Sequence, residues 1–559
     1  MSPVQTSAPD SIAARLMRAA DRPGSGATFI NRHDREFVTY AELLDDARSM
    51  AASLQSRGVA PGTHVAILGS TSRRVITAIE ACWLAGAASM VLPLPMRMGS
   101  IEEFVNQTRV RVRNGDAVLM LIDDELAPFY TVEPGDPPMA MLSEVVRGPG
   151  RPKPDAIVDP AADPERLVIL QFTSGSTSEP KGVMLPDRIL RANLDAIAGA
   201  ASLDPAVDVL VSWLPLYHDM GLVGLLATSI TSGSNLAIAS PQEFMAHPGD
   251  WMEWISTYRG TATAGPNFSY VLATRALRRM TGLDLSSMRI ALNGAEPIDP
   301  DNVEAFVEAA GKHGFRKGAE FCAFGMAEVC IAGTFPKPME GMRLDPIDRA
   351  VLQNEHVARP SPVGDDLTRR LPLLGRAVPG LEIRVTDPST GERLPDRHVG
   401  ELEIRGTSVT SGYYKRPDAT AASFRGEWLR TGDLAYLLDG ELVLCGRIKD
   451  VIIVGGRNVY PEDIERAIGV LDGVRAGNVI AFGVEGYKSK ESVVVVAEVR
   501  GGAHDDIRKT IHHRTIEVAG VPPRDVMLVQ PGSLPKTSSG KLQRSLCKDR
   551  YLNDELDLV

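Results

Sequence analysis

Cysteine is scarce in this 559-residue sequence, and the few cysteines follow no regular pattern. No Cys-x-x-Cys pair occurs and the total is odd, whereas zinc sites and disulfide frameworks need regular, paired spacings. We interpret the thiols as reduced packing residues of a cytoplasmic protein, because reducing compartments keep thiols unpaired. The five cysteines are Cys82, Cys322, Cys330, Cys445 and Cys547.

Long hydrophobic runs are also missing. The most apolar long stretch, residues 81–96, is shorter than the roughly 20 residues that span a bilayer, and Pro93 and Pro95 interrupt it. The first ten residues lack the basic region followed by an apolar one that marks a signal peptide. We therefore expect neither a signal peptide nor a membrane span.

Positive charge is in deficit. The chain has 60 Lys and Arg against 71 Asp and Glu, a net charge of −11 and a pI near 5.5. Nucleic-acid surfaces need a basic stripe that displaces counterions, so this class of partner is not expected. The hydrophobic content of 44% suits a globular protein. The length exceeds the roughly 250–300 residues that one core organises, so at least two domains are expected.

Helix and strand patterns alternate along the first half of the chain, which is typical of parallel βαβ units. A second alternating run covers residues 207–239, whereas the acidic, proline-rich residues 131–164 are expected to form an exposed connection. The first run predicts helices at 40–57 and 72–85 and strands at 63–69 and 88–92.

The pattern changes twice in the second half. Short strands and turns from residue 380 predict a small β subdomain. Residues 451–559 predict a compact α+β unit, in which a helix starts at Pro461 with two acidic residues in its first turn. The predicted fold class is α/β, with a large N-terminal domain of several subdomains and a small α+β C-terminal domain.

A loop rich in glycine and hydroxyl groups follows the apolar run 167–172. Residues 173–182 read Thr-Ser-Gly-Ser-Thr-Ser-Glu-Pro-Lys-Gly. Glycines let backbone N–H groups turn inward, hydroxyls add donors, and Lys181 adds a point charge, so the loop suits a polyphosphate. It is not a P-loop, which needs Ser or Thr directly after the lysine. On this loop alone, a flexible surface linker remains an equal alternative.

Three further segments place polar side chains directly after apolar runs. These segments contain His218, Glu296 and Glu328. Taken singly, the histidine is expected to be a packing residue and the glutamates solvated loop carboxylates. Ligands collect beyond the carboxyl ends of strands in open α/β sheets, so the shared position favours a binding site. The segments are residues 213–221, 291–297 and 324–328.

Together, these segments resemble the adenylate-forming enzymes, which include acyl-CoA synthetases, peptide-synthetase adenylation domains, luciferases and fatty acyl-AMP ligases. The resemblance covers nearly the whole chain, and seven motifs in the family's order make it specific, although each motif alone is weak. The motifs are residues 173–182, 293–297, 324–328, 429–433, 446–450, 456–465 and 535–541.

Within the family, the sequence most resembles the fatty acyl-AMP ligases, also called fatty-acid–acyl-carrier-protein ligases. Residues 213–221 and 264–270 are similar to that branch's substrate-pocket segments. The stretch from Glu328 to Gly375 is longer than is usual in CoA ligases, and residues 344–358 within it resemble the branch's insertion, which lies near 335–370. The alternative is a surface loop that grew without consequence, since loop-closure entropy rises slowly with length.

The resemblance implies a two-step reaction. A medium- or long-chain fatty carboxylate attacks the α-phosphorus of ATP, pyrophosphate leaves, and the acyl group passes to the thiol of an acyl carrier protein or of a carrier domain in a polyketide or peptide synthase. ATP and Mg²⁺ are the implied cofactors. An N-terminal adenylation domain, 1–447, and a mobile C-terminal domain, 448–559, are implied, with the hinge near Lys449.

The resemblance also implies roles for individual residues. Lys541 is the expected mobile catalytic cation, and Glu328 is expected to help place Mg²⁺, a cation that prefers oxygen ligands. Asp433, supported by Arg447, suits the two ribose hydroxyls. The β- and γ-phosphates are assigned to Thr173, Ser174, Gly175, Ser176, Thr177 and Lys181, adenine to Gly294, Ala295 and Phe324, and the acyl tunnel to His218, Met220, Phe268 and Met326.

Three residues depart from the family pattern. Ser178 stands where glycine is frequent, and Phe172 and Phe324 stand where tyrosine is frequent, which puts any polar role at Phe324 in doubt. Three alternative functions stay open. They are an acyl-CoA synthetase, an amino-acid adenylating enzyme with Asp219 as the only local candidate for the ammonium, and an inert adenylate- or lipid-binding module.

Overall fold

The structure is a computed structural model. It describes residues 10–95, 101–147, 152–173, 180–364, 368–454, 457–485, 491–536 and 541–559. Within these ranges, every helix is too short or too polar to cross a membrane.

Sheet A has seven strands and forms one half of the N-terminal region. All neighbouring strands run parallel except the edge strand Arg35–Thr39, which forms an antiparallel hairpin with Gly26–Ile30. Across the sheet the order is Glu320–Cys322, Ile290–Asn293, Ala262–Gly265, Val209–Ser212, Asn235–Ala239, Gly26–Ile30 and Arg35–Thr39.

Sheet B has six strands and forms the other half. Its edge strand Lys181–Pro186 is antiparallel to Leu167–Thr173, so the loop rich in glycine and hydroxyl groups joins two paired strands. The sequence analysis did not predict this return strand, and it wrongly treated residues 131–164 as connection only, since a strand and the helix Leu142–Arg147 lie there. The order is Met139–Met141, Ala117–Ile122, His64–Leu68, Ala88–Val91, Leu167–Thr173 and Lys181–Pro186.

Helices connect the strands of both sheets, and several of them begin at side-chain caps. Thr39 and Glu42 form a capping box at the start of Tyr40–Ser56, and Ser72 caps Arg73–Leu84, close to the predicted bounds. A π-helix, Met220–Ala227, follows the strand Val209–Ser212. The other α-helices of the N-terminal region are Ile12–Ala20, Ile101–Asn114, Leu142–Arg147, Asp187–Ala200, Thr228–Ser232, Pro241–Ala246, Asp250–Tyr258, Asn267–Leu277, Pro300–Gly311, Arg349–Glu355 and Pro417–Ser423.

The predicted β subdomain is a five-stranded antiparallel sheet with its own apolar core around Leu402, Ile404 and Leu429. The segment that resembles an insertion folds as the hairpin Leu344–Asp348 with Thr368–Pro372, and the helix Arg349–Glu355 follows its first strand. The β subdomain comprises Leu381–Thr386, Gly400–Gly406, Phe424–Arg425, Trp428–Leu438 and Glu441–Arg447, and a small sheet beside it comprises Phe324–Gly325, Ala332–Phe335 and Arg376–Ala377.

The C-terminal region is a smaller α+β unit. Two helices and a three-stranded sheet enclose an apolar core that contains Ile464, Val495 and Ile511. The predicted fold class is therefore confirmed. The strands are Ile452–Val454, Arg457–Val459, Val474–Glu485, Glu491–Val499 and Asp525–Val529, and the helices are Pro461–Gly469, His504–Ala519 and Arg544–Leu552.

Candidate active site

One cavity of about 2570 Å³ lies beyond the carboxyl ends of the strands of sheet A and reaches the C-terminal unit. Every predicted site residue that the structure describes lines it. The predicted phosphate-loop residues Ser174, Gly175, Ser176 and Thr177 lie outside the described residues. The lining includes Thr173, Lys181, His218, Met220, Phe268, Gly294, Ala295, Phe324, Met326, Glu328, Asp433, Arg447, Lys449 and Lys541.

Tyr413 connects the two predicted phosphate-side residues. Its hydroxyl donates a 2.8 Å hydrogen bond to Glu328 Oε1. The Nζ of Lys181 lies 5.1 Å from the centre of the same ring, within the range of a cation–π contact. The sequence analysis missed Tyr413, and no spacing in the sequence links it to either partner.

Glu328 lies in the short 3₁₀ turn Ala327–Val329. Burial raises the pKa of its carboxyl, and Asp219 adds to this, whereas the Tyr413 hydroxyl and Arg447 act in the opposite direction. Mg²⁺ commonly binds one or two carboxylates plus substrate phosphates, so a single glutamate fits this ion. The described part of the chain contains no cluster of three or more His, Cys, Asp or Glu that could hold a metal by itself.

Asp433 and Arg447 form a second polar corner. Arg447 Nε donates to Asp433 Oδ1 at 2.8 Å, and the backbone N–H of Asp433 donates to Thr431 Oγ1 at 3.0 Å. Asp433 is only 4% exposed, and its burial raises the pKa of the carboxyl while Arg447 lowers it. The two strands that carry the pair are neighbours in the β subdomain, which fixes the carboxylate's orientation.

The turn at Gly294 and Ala295 brings backbone close to backbone. A Cβ on Gly294 would lie 2.9 Å from the carbonyl oxygen of Ala323, so a side chain there would require a shift. Ala295 has a φ of 69°, which is uncommon for a residue other than glycine. Strained backbone of this kind clusters at functional sites. Phe324 is buried in the two-residue strand that follows Ala323.

Lys541 reaches the cavity from the C-terminal unit and is half-buried. Burial lowers the pKa of its ammonium and Arg447 adds to this, while Asp219 and Glu296 oppose the shift. Glu296 Oε1 also accepts a 2.6 Å hydrogen bond from the backbone N–H of Phe268. The C-terminal lysine is therefore held in an electrostatic environment made by N-terminal carboxylates.

The predicted acyl residues lie on the sheet A side of the cavity. Met220 begins the π-helix, a rare element that is frequent at functional sites. Phe268 lies edge-on to Trp213, with 6.4 Å between ring centres, and Trp213 stacks on Phe244 at 3.7 Å. His218 Nδ1 is 2.6 Å from Asp219 Oδ1. Trp213 and Phe268 give the cavity an apolar wall, and Phe244 packs behind Trp213.

The hairpin that resembles an insertion contacts the C-terminal unit through a buried ion pair. Arg369 Nε lies 2.9 Å from Asp463 Oδ1, and the two side chains are 4% and 3% exposed. Arg369 also donates to the carbonyl of Cys445 at 2.8 Å, and its guanidinium lies 4.6 Å from the centre of the Tyr460 ring. Lys449, the predicted hinge residue, lies on the exposed connection between the β subdomain and this unit.

Comparisons with known proteins agree with this geometry. A model of the AMP-binding enzyme family matches residues 16–414. A solved structure from a study of fatty acyl-adenylate ligases of E. coli and L. pneumophila superposes with a TM-score of 0.90 at 30% identity and covers 99% of both chains.

Two curated relatives are similar over almost their whole length. The medium-chain-fatty-acid–[acyl-carrier-protein] ligase JamA of Moorena producens is 31% identical over 95% of this chain and 93% of its own. A Caulobacter vibrioides protein, provisionally named an acyl-CoA synthetase, is 33% identical over 96% of this chain and 95% of its own. The resemblance to the fatty acyl-AMP ligase branch is confirmed, and the chain belongs to the AMP-binding, adenylate-forming enzymes.

Proposed function

We propose that this enzyme activates a medium- or long-chain fatty acid with ATP and transfers the acyl group to an acyl carrier protein in the cytoplasm. One observation carries the proposal. Lys541, Glu328 and Asp433 line the same cavity as the apolar wall around Phe268. A cation, a metal-binding carboxylate and a diol-binding carboxylate beside an apolar tunnel are what fatty-acid adenylation requires.

The first step brings two anions together, and negative charge grows on the phosphoryl oxygens. Positioned cations stabilise such a transition state. Lys541 bridges the fatty carboxylate and the α-phosphate, while Thr173, Lys181 and the intervening loop hold the β- and γ-phosphates. Asp433 with Arg447 binds the ribose hydroxyls. Gly294, Ala295 and Phe324 line the adenine.

Glu328 provides the carboxylate oxygen for Mg²⁺, which when bound neutralises charge on the phosphates. Tyr413 keeps Glu328 in place through its 2.8 Å hydrogen bond. His218, Met220, Phe268 and Met326 form the wall of the acyl tunnel, where flexible methionines adapt to an alkyl chain.

In the second step, the thiol must reach the acyl-adenylate where Lys541 stood during the first step. The C-terminal domain, residues 448–559, turns about Lys449 and withdraws the lysine, which is a hinge-type motion. The carrier protein is proposed as the acceptor because the relative JamA is named for this transfer. The buried Arg369–Asp463 contact supports restricted access of free CoA, since it ties the hairpin to the moving domain.

An acyl-CoA synthetase is the second candidate, and the name of the Caulobacter vibrioides relative favours it. Incubating the enzyme with dodecanoic acid, ATP and Mg²⁺, with and without CoA, separates the two. We expect acyl-AMP in both samples and little acyl-CoA. Abundant acyl-CoA would reject the carrier-protein assignment.

Amino-acid adenylation is disfavoured because Asp219, the candidate that the sequence offered for an ammonium site, is engaged by His218 at 2.6 Å. ATP–pyrophosphate exchange with fatty acids, compared with amino acids, tests this alternative directly. An inert module would show no exchange with either class of acid.

A further inference from the structure

His218 and Asp219 form a close pair of side chains at the wall of the cavity. Asp219 is 7% exposed, and its Oδ1 accepts a 2.8 Å hydrogen bond from the backbone N–H of Met220. The same oxygen lies 2.6 Å from Nδ1 of His218, whose side chain is 23% exposed and lines the cavity. Within the described residues, the other ring nitrogen, Nε2, has no hydrogen-bond partner.

The proton positions follow from this geometry. Burial alone would raise the pKa of Asp219, but His218, Lys541 and the Met220 N–H together lower it, so the carboxyl is an ionised acceptor. We place the ring proton on Nδ1, which lies 2.6 Å from the carboxylate oxygen; the Met220 backbone N–H, 3.3 Å from the same nitrogen, then donates to Asp219 at 2.8 Å. In the neutral ring, Nε2 is then the nitrogen that can accept a proton.

Asp219 interacts with two basic side chains, Lys541 and His218. The ammonium of Lys541 is attracted by Asp219 from the C-terminal unit, and His218 is bound to it within the N-terminal region. Among the described residues, Asp219 also acts on Glu328 and on the buried thiol of Cys330, and it raises the pKa of both groups. Withdrawal of Lys541 would leave His218 as the neighbouring cation-forming group.

We propose that His218 accepts the proton of the incoming thiol in the acyl-transfer step and that Asp219 positions it. This inference rests on the proposed function. The thiol sulfur forms a bond to the acyl carbon, the bond from that carbon to the AMP oxygen breaks, AMP leaves with the electron pair, and the thiol proton moves to Nε2. The imidazolium then returns this proton to solvent.

A single-turnover experiment with the full-length enzyme separates this role from adenylation. Acyl-AMP is first formed on the enzyme from dodecanoic acid, ATP and Mg²⁺ with pyrophosphatase, and its amount is measured. Ethanethiol or the similarly shaped but more acidic 2,2,2-trifluoroethanethiol is then added. The rate of thioester formation is followed for wild type, His218→Asn, Asp219→Asn and the surface control His398→Asn.

General-base catalysis contributes typically 10²–10⁴-fold. In His218→Asn, whose amide still donates to Asp219 but cannot accept a proton, transfer to ethanethiol should fall by about 10²-fold relative to bound acyl-AMP. The rate of transfer to ethanethiol should also fall in Asp219→Asn. The deficit should shrink at least tenfold with trifluoroethanethiol, since a thiol that is already ionised needs no base.

Equal deficits with the two thiols, or no deficit in either variant, would overturn the proposal. Failure of the wild type to form acyl-AMP would instead reject the proposed function, and it is detected before any thiol is added. His398 is exposed and does not line the cavity, so His398→Asn should transfer at the wild-type rate with both thiols.

Discussion

Tyr413 donates a hydrogen bond to Glu328 across 85 positions of sequence, and the face of its ring meets the ammonium of Lys181. One side chain therefore orients a carboxylate suited to Mg²⁺ and a cation suited to phosphates. The bridge between Val183 and Tyr413 and the bond from Tyr414 N–H to the Gly182 carbonyl hold this segment against sheet B.

Removal of the Tyr413 hydroxyl should weaken magnesium use. Tyr413→Phe keeps the ring under Lys181 but removes a hydrogen bond to a charged group, which contributes about 1.5–3 kcal/mol. We expect the Mg²⁺ concentration for half-maximal acyl-AMP formation to rise about tenfold or more. Tyr414→Phe is the matched control, because that hydroxyl donates instead to Asp116. An unchanged magnesium requirement in Tyr413→Phe would contradict this role.

Loss of Lys541 should abolish most adenylation. Lys541→Ala removes the cation that is held near Asp219 and Glu296, and the loss of one positioned group that stabilises transition-state charge costs about 10²–10³-fold in rate. Acyl-AMP formation from dodecanoic acid measures the effect. Lys509→Ala, an exposed lysine of the same unit, should match the wild type. Undiminished acyl-AMP formation would show that another group supplies the charge.

The Arg369–Asp463 contact should behave as a buried ion pair. Arg369→Met removes the buried cation beside the Asp463 carboxylate and leaves it Arg466, which lies 3.5 Å away and is 29% exposed. Breaking a buried pair costs up to about 3–5 kcal/mol, so the midpoint of thermal unfolding should fall. In the double variant Arg369→Met/Asp463→Leu, the midpoint should largely recover, because the buried charge is gone. Arg370→Met removes exposed pairs to Asp301 and Glu304 and should change little. If the midpoint fell equally in the single and the double variant, Arg369 and Asp463 would not be energetically coupled.

Glu320 should make stability depend on pH. Its side chain is 1% exposed, neither carboxyl oxygen has a hydrogen-bond partner within the described ranges, and burial raises its pKa to about 8. The folded protein therefore keeps this proton up to about pH 8, whereas an unfolded chain releases it near the ordinary glutamate value of 4.5. Between these values the native state binds more protons, so this group's contribution to stability falls as pH rises.

Glu320→Gln removes that titration. The variant and the wild type should melt at similar temperatures at pH 5, and the variant should melt a few degrees higher at pH 9, as measured by differential scanning fluorimetry. The control Glu427→Gln alters an 85% exposed side chain and should show no such difference. If wild type and Glu320→Gln melted at the same temperature at pH 9, ionisation of the Glu320 carboxyl would not destabilise the folded protein, and the prediction would be wrong.

The course of the chain was largely predictable from local patterns. The helix Tyr40–Ser56 and the strand His64–Leu68 lie where hydrophobic periodicity and capping residues predict them. The return strand Lys181–Pro186 was not predictable in this way, because a short apolar run has no distinctive period. The short strand and helix within residues 131–164 were not predicted for the same reason.

The sequence by itself determined which chemical groups the protein carries and in what order, because residue type and covalent order need no folding. That was enough to single out Glu328, Asp433 and Lys541, which line one cavity. Only the tertiary structure decided what surrounds them. The Tyr413 hydrogen bond and the Arg369–Asp463 pair join residues 85 or more positions apart, and His218 and Asp219, although adjacent, meet Lys541 only across two folded units. Such contacts depend on how the units pack, and no local pattern encodes them.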